Sequence, residues 1–427
     1  MATPRIIEIR QDGLYVDGVL VSELAEKFDT PLYVVSEQRI RENYRRLYNA
    51  LTSKYSDSRI YYSAKANSNL SVLKILESEG SYLDAVSPGE VFLALKAGFT
   101  PERILFTGTS VRDDELKFLV DSNVTVNIDS RSELRRLLKL ITPKLLSVRV
   151  NPEVGAGHHN HCITAGKNSK FGIWEEDVVK AYRAAKDAGV KKFGIHMHIG
   201  SGILTVEPFI RACEKLLEVA GKVHSQLGIE FEFIDIGGGL GVPYTLGEKE
   251  LDLESFFTEI SNLLKEKIEA YKLGSPMLFI EPGRYIVCDV AIILTRVNTV
   301  KVTPFKKFIG IDAGFNTLLR PAMYNSYHHI CLANKPGCDG EEVYDVAGPL
   351  CESGDLIAKD RKLPKVSEGD LLAIMNAGAY GYSMSSQYNS RPRAAEVLVK
   401  DWKYTVIRER EAITVLTAGQ KLAEWLK

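Results

Sequence analysis

From Arg59 onward the chain repeats one pattern: a short run of β-branched and aromatic residues, then a longer segment with the apolar spacing of an amphipathic helix. Eight such runs are expected as strands: Arg59–Lys65, Tyr82–Ser87, Arg103–Gly108, Val124–Asp129, Leu145–Asn151, Lys192–Gly200, Phe231–Gly239 and Met277–Arg284. Helical stretches such as Leu70–Glu79, Pro88–Ala97, Ser132–Leu140, Pro208–Gln226 and Leu253–Tyr271 lie between them, several opened by Ser, Asp or Pro. Strict alternation of strand and helix implies parallel strands joined by right-handed crossovers. Eight units close a (β/α)8 TIM barrel, and the span from Arg59 to Arg284 approaches the roughly 250 residues typical of that α/β fold. An open doubly wound sheet is the runner-up.

Beyond Arg284 the pattern changes to β-rich runs punctuated by Gly and Pro, at Ala291–Val302, Lys307–Asp312, Glu341–Val346, Leu371–Met375 and Arg393–Val406, with a short terminal helix expected at Thr417–Leu426. These form a C-terminal β domain of barrel or sandwich type. The first thirty or so residues are also β-rich, with an Asp12-Gly13 turn, and are expected to add strands to it. The expected division is therefore 1–34, N-terminal strands joining the β domain; 35–284, the barrel; and 285–427, the β domain with its terminal helix.

With 427 residues the chain is long enough for a large barrel and a smaller companion. Its formal charge of -1 and pI near 6.7 lack the basic excess of a nucleic-acid or anionic-membrane binder, so a small-molecule partner is expected. The most apolar stretch, Tyr285 to Leu294, is interrupted by Asp289, falls far short of the ~20 residues of a membrane span, and reads as buried strand. The first ten residues carry acid and base without a long apolar core, unlike a signal peptide. Six cysteines without a C-x-x-C pair argue against structural zinc or a disulfide framework, and a reducing, cytoplasmic setting is expected. His158-His-Asn-His161-Cys162 has metal-site residue types but lies in a polar loop without carboxylates, and no metal is expected there. His328-His329 reads as a helix flank.

Barrel enzymes place their chemistry at the carboxyl ends of the strands. At those ends stand Lys65, Asp84, Arg149, His196, His198, Ser201, the triplet Gly237-Gly238-Gly239, and Glu281-Pro282-Gly283-Arg284. A lysine buried at a strand end has a lowered pKa, which frees its amine to attack a carbonyl or hold a Schiff base; the alternative is a side chain that snorkels to the rim or pairs with a carboxylate. The glycine triplet follows the seventh strand, where bare N–H groups can approach a phosphate, or form an ordinary tight turn. Reactive amine and phosphate cradle together suggest pyridoxal 5'-phosphate, whose ring nitrogen needs an anion. Glu281 is the candidate, unless it only pairs with Arg284. His198 could lie flat on the ring, although a strand histidine is more often a satisfied core residue.

The segments Tyr62-Ser-Ala-Lys-Ala-Asn67, His196-Met-His-Ile-Gly-Ser201, Gly237-Gly-Gly-Leu-Gly241 and Glu281-Pro-Gly-Arg284 resemble the signatures of the barrel-type, alanine-racemase-like pyridoxal phosphate decarboxylases. Leu319-Arg-Pro-Ala-Met-Tyr324, Gly348-Pro-Leu-Cys-Glu-Ser-Gly-Asp355 and Asn376-Ala-Gly-Ala-Tyr-Gly381 extend the likeness over nearly the whole chain, and it is nearest to the branch acting on diaminopimelate. The resemblance implies Lys65 as Schiff-base lysine and His198 stacked on the cofactor ring, with Asp84 and Arg149 beside it. It places Ser201, Gly237, Gly238, Gly239 and Glu281, Pro282, Gly283, Arg284 around the phosphate and ring nitrogen, and Tyr380 over the cofactor. Arg284, Arg320 and Tyr324 resemble the residues that grip a distal carboxylate, Glu352 the one that meets a distal ammonium, and Cys351 the proton donor. A guanidinium fork and a carboxylate suit a substrate with a second amino-acid head. The family also implies a head-to-tail homodimer in which the Cys351-Glu352 loop serves the partner's cofactor. The expected reaction is decarboxylation of meso-2,6-diaminopimelate to L-lysine. Its rivals are a same-fold decarboxylase of ornithine, arginine or carboxynorspermidine, an amino-acid racemase, and a catalytically inactive regulator.

Overall fold

The structure, a computed structural model, describes residues 6–157, 159, 164–336 and 340–426. By internal contacts the chain divides into two compact units. One joins the stretch up to Arg39, the short segment Tyr244–Gly247 and everything from Cys288 onward; the other is Ile40–Pro243 with Glu248–Val287.

Strands β1 (Glu8–Arg10), β2 (Gly13–Val16) and β3 (Val19–Leu20) make a small antiparallel sheet of their own, and β4 (Leu32–Ser36) follows. The second unit is a closed barrel of eight parallel strands: β5 (Ser58–Ser63), β6 (Tyr82–Ala85), β7 (Ile104–Phe106), β8 (Thr125–Ile128), β9 (Leu145–Arg149), β10 (Lys192–His196), β11 (Phe231–Asp235) and β12 (Met277–Ile280), the last pairing with the first. Helices alternate with these strands, as the 3.6-residue spacing requires. Two of them start on a serine cap, with Ser87 Oγ accepting from Glu90 N and Ser130 Oγ from Glu133 N.

The barrel interior is filled rather than hollow. Tyr61, Leu105, Phe233 and Phe279 form one buried cluster, with Phe233 stacked on Phe279 at 4.3 Å between centroids. Gly194 makes this possible, because a Cβ there would lie 2.1 Å from Phe233 Cζ.

In the first unit, β4 is sandwiched between β13 (Ala291–Val302), antiparallel, and β19 (Ala395–Lys400), parallel. The same nine-stranded sheet holds β14 (Lys307–Ile311), β15 (Ile330–Leu332), β16 (Glu342–Ala347), β17 (Leu356–Leu363), β18 (Leu371–Ile374) and β20 (Lys403–Arg408). Among the described residues no helix is long and apolar enough to cross a membrane.

All eight barrel strands stand where the sequence puts them, but they end one to four residues sooner, so that Lys65, His198, the glycine triplet and Glu281–Arg284 lie just past them. Tyr285–Leu294 is not one strand: Arg284–Val287 is a helical turn and Cys288–Val290 a 3-10 turn ahead of β13. The terminal segment carries only 3-10 turns, Ile413–Thr417 and Glu424–Leu426, instead of a helix. His328 is no helix flank; it is fully buried just before β15, its Nδ1 2.9 Å from Met375 O. Of the His158–Cys162 cluster, His158, His161 and Cys162 lie outside the described residues.

Candidate active site

Side chains alternate in and out along a strand, so a residue two positions beyond a core residue faces the same way. The core residues Tyr61, Leu105, Phe233 and Phe279 are thus followed by Ser63, Thr107, Asp235 and Glu281. Asp84, Asn127, Arg149 and His196 occupy the corresponding ends of the remaining strands, and all eight side chains are buried. The barrel therefore changes from an apolar floor to a polar ring at its carboxyl end, the functional face of this architecture.

Lys65 sits in the 3-10 turn Ala64–Ala66 that follows β5. It is not buried as the sequence suggests: its side chain keeps 34% of its exposure, with Nζ 3.2 Å from Asp84 Oδ2. Full burial would take a cation out of water, whereas a turn at the strand end lets the four-carbon stem reach the mouth with its amine hydrated. Asp84 is fully buried and accepts from Ser63 Oγ at 2.7 Å and from Thr107 Oγ1, so its carboxyl group is held in one orientation.

His198 lies two residues past β10, in a loop rather than in the strand, and is partly exposed. Its Nδ1 accepts the Gly238 N–H at 3.1 Å, which puts the ring proton on Nε2. Burial, then the positive charges of Lys65 and Arg149, push its pKa well below the ordinary imidazole value. The glycine triplet has a packing cause that the sequence does not reveal. A Cβ on Gly237 would lie 2.4 Å from Met197 O, one on Gly238 2.1 Å from Glu281 O, and one on Gly239 2.8 Å from Gly200 O. Two of its amides are already committed, Gly237 N to Asp235 Oδ1 at 2.8 Å and Gly238 N to His198.

Glu281 is buried directly after β12, with Oε2 3.2 Å from His196 Nε2. Burial opposes its charge, yet His196, Lys65 and Arg149 together hold its pKa below the usual carboxylate range. Pro282 O accepts the Ser63 N–H, and Gly283 leaves room for Ser63 and Ala66, either of which a Cβ would meet at 3.0 to 3.1 Å. Arg284 is buried and donates from Nε and Nη2 to Ser201 Oγ at 3.2 and 3.1 Å. Arg149 is buried with its guanidinium 4.6 Å from the Phe171 ring.

The other expected residues belong to the β unit. Arg320 is buried, stacked 4.8 Å from the Tyr244 ring, donating to Tyr244 Oη and, at 3.1 Å, to Ser326 Oγ. Tyr324 ends the same helical turn, Arg320–Tyr324. Cys351 and Glu352 are exposed on the loop between β16 and β17, where Cys351 N donates to Asn389 Oδ1 at 2.9 Å and Tyr388 Oη to Glu352 Oε1 at 2.5 Å. Buried Asp355 shapes that loop by accepting from Leu350 N and Phe315 N. Tyr380 has φ 57°, a left-handed conformation that costs a bulky residue about 1–3 kcal/mol and is characteristic of functional loops.

Sequence reasoning gave no role to His196, Asp235, Asn127 or Tyr244. For the first three the signal is a polar residue at or next to the carboxyl end of a largely apolar run. Tyr244 stands in a polar loop and carried no such signal.

Residues 37–288 match the family model for the pyridoxal-dependent decarboxylases, specifically its pyridoxal binding domain. The diaminopimelate decarboxylase of Methanothermobacter thermautotrophicus is 58% identical over 97% of both chains, and that of Archaeoglobus fulgidus 43% identical over 97% of this chain and 99% of its own. The crystal structure of diaminopimelate decarboxylase from M. jannaschii in co-complex with L-lysine superposes with a TM-score of 0.92 at 34% identity, covering 99% of each chain. The chain belongs to the pyridoxal-dependent decarboxylases and, within them, to the diaminopimelate decarboxylase family.

Proposed function

We propose that this protein removes one carboxylate from meso-2,6-diaminopimelate, using pyridoxal 5'-phosphate, to release carbon dioxide and L-lysine. The observation that carries the reading is the pairing, at one end of one barrel, of the Lys65 amine beside Asp84 with the ionised carboxylate of Glu281. Oε1 of Glu281 is buried and has no N–H donor among the described residues. A protonated ring nitrogen fits that vacancy in the hydrogen bonding, so the residues present suit the cofactor.

Bound pyridoxal phosphate supplies an aldehyde that takes up amines and a ring that accepts the electron pair left when carbon dioxide departs. Lys65 Nζ would hold the cofactor's aldehyde group, with Asp84 keeping the lysine oriented. His198, with its proton on Nε2, offers an uncharged flat face. Glu281 would accept the ring N–H, and Arg284, Ser201 and the glycine loop would hold the phosphate. Arg320 and Tyr324 bind the substrate's distal carboxylate, Glu352 its distal ammonium, and Cys351 Sγ returns a proton to the α-carbon.

The exposure of Cys351 and Glu352 supports a homodimer in which this loop completes the partner's site. The relative from M. jannaschii crystallised with L-lysine supports lysine as product here. Borohydride reduction of the cofactor-loaded protein, followed by peptide mapping, tests the reading: the adduct is expected on Lys65, and an adduct on another lysine, or none, would refute it.

A further inference from the structure

His196 ends β10 with a fully buried imidazole that faces two partners. Nε2 lies 3.2 Å from Glu281 Oε2, and Nδ1 lies 3.3 Å from Asn127 Nδ2. An amide nitrogen only donates, so Nδ1 accepts and the ring proton stands on Nε2, pointed at Glu281. Asp235, registered opposite His196 across the β10–β11 pair, is buried too, and one donor atom from each of His196, Asp235 and Glu281 lies within 4.8 Å of the others.

Two carboxyl groups buried this close do not both ionise, so the trio carries one carboxylate charge that could rest on either acid. Burial, and then the Glu281 charge, raise Asp235 well above the ordinary carboxylate range, leaving the proton there and the charge on Glu281. Nothing in the reaction needs Asp235 or His196 to touch substrate. Their placement acts on the one carboxylate that faces the ring nitrogen.

We infer that His196, held from behind by Asn127 and flanked by Asp235, is a positioning residue that fixes Glu281 in one orientation and keeps the trio's negative charge on it, so that the cofactor's ring nitrogen meets an anion. The inference rests on the reading above that Glu281 faces this nitrogen. A second-layer partner that donates to a functional group sets both its direction and its basicity, and losing such a partner typically lowers activity about ten- to hundredfold.

The test uses holoenzyme loaded with cofactor carrying nitrogen-15 in its ring, whose NMR resonance reports protonation of that nitrogen directly. In His196→Leu the resonance is expected to move to the unprotonated position and kcat to fall about ten- to hundredfold, with KM little changed and borohydride still trapping the cofactor on Lys65. His196→Gln, which restores an N–H donor to Glu281, is expected to recover both signals in large part. If His196→Leu fails to fold, Asn127→Leu frees the imidazole from its fixed tautomer and is expected to shift the resonance in the same direction. A parent enzyme whose ring nitrogen is already unprotonated overturns the Glu281 reading itself. A protonated parent with an unshifted His196→Leu, or an unshifted Asn127→Leu where that variant stands in, overturns the role of His196 alone.

Discussion

The amine of Lys65 stands 3.2 Å from Oδ2 of Asp84, a fully buried carboxylate that also receives the hydroxyls of Ser63 and Thr107. Function and stability separate across this pair. Lys65→Ala removes a half-exposed side chain and is expected to lower turnover at least about 10³-fold, as loss of a covalent-catalysis group does, while leaving thermal unfolding nearly unchanged. Asp84→Ala strands the buried Thr107 hydroxyl and takes the partner carboxylate from Lys65, while Ser63 Oγ keeps the Glu281 carbonyl at 2.9 Å, and it is expected to cost about 2 kcal/mol of stability as well as activity. Turnover and denaturant unfolding of both variants check this.

Gly238 should not tolerate a methyl group. Its Cβ would lie 2.1 Å from Glu281 O, a backbone atom that moves only if the loop after β12 moves. Gly238→Ala is expected to abolish cofactor retention and to destabilise by about 3 kcal/mol or more. Gly89→Ala is the control: it lies in the first turn of helix Pro88–Ala97, where the nearest atom to a new Cβ, Ser87 Oγ, is 3.7 Å away. It is expected to be neutral or stabilising by up to about 1 kcal/mol. Visible absorbance of the purified variants and their melting temperatures decide between these outcomes.

Glu133 gives the stability a pH dependence. It is buried behind Asp129, whose N–H its Oε2 accepts at 3.1 Å, and burial pushes its pKa up to about 7 from an ordinary 4.5. A carboxyl raised in the folded state favours folding while protonated, so its contribution is greatest below pH 4.5, falls as pH rises, and levels off above pH 7. Glu133→Gln cannot ionise, and its stability relative to the parent is expected to rise across that window by up to about 3 kcal/mol. Urea midpoints of both proteins at pH 5 and pH 8 read the difference.

Cys351 is exposed, so truncating it should leave the fold alone. Cys351→Ala is expected to keep the parent melting temperature and the borohydride-trapped adduct, while kcat falls about 10²- to 10⁴-fold, the usual cost of losing a positioned proton donor. Parent-like kcat would remove the donor assignment. Mixing Cys351→Ala with Lys65→Ala tests the shared site: a heterodimer with one intact centre is expected to regain part of the activity if the loop serves its partner.

The eight strands were legible because each carries a β-branched or aromatic run bounded by helical spacing. Their ends were not: the expected strands run on through His198, the Gly237 triplet and the Pro282-Gly283 turn, whereas strand pairing stops at His196, Asp235 and Ile280. The motif residues Lys65, His198, Glu281 and Arg284 were visible as polar positions at strand ends. What they touch was not: the exposure of Lys65 depends on a 3-10 turn, and the necessity of Gly238 depends on a carbonyl from another strand. The partnership of Arg320 with Tyr244 joins residues 76 positions apart, with no local pattern to announce it. The terminal helix expected at Thr417–Leu426 failed because its apolar residues remain exposed, Leu422, Trp425 and Leu426 among them, so no packing favours a helix over short turns.

Carbon dioxide release from individual amino acids by the cofactor-loaded protein bears most directly on the activity. Release from meso-2,6-diaminopimelate, with stoichiometric L-lysine and little from ornithine, arginine or lysine, is the expected result. Release from ornithine or arginine with none from meso-2,6-diaminopimelate would contradict it.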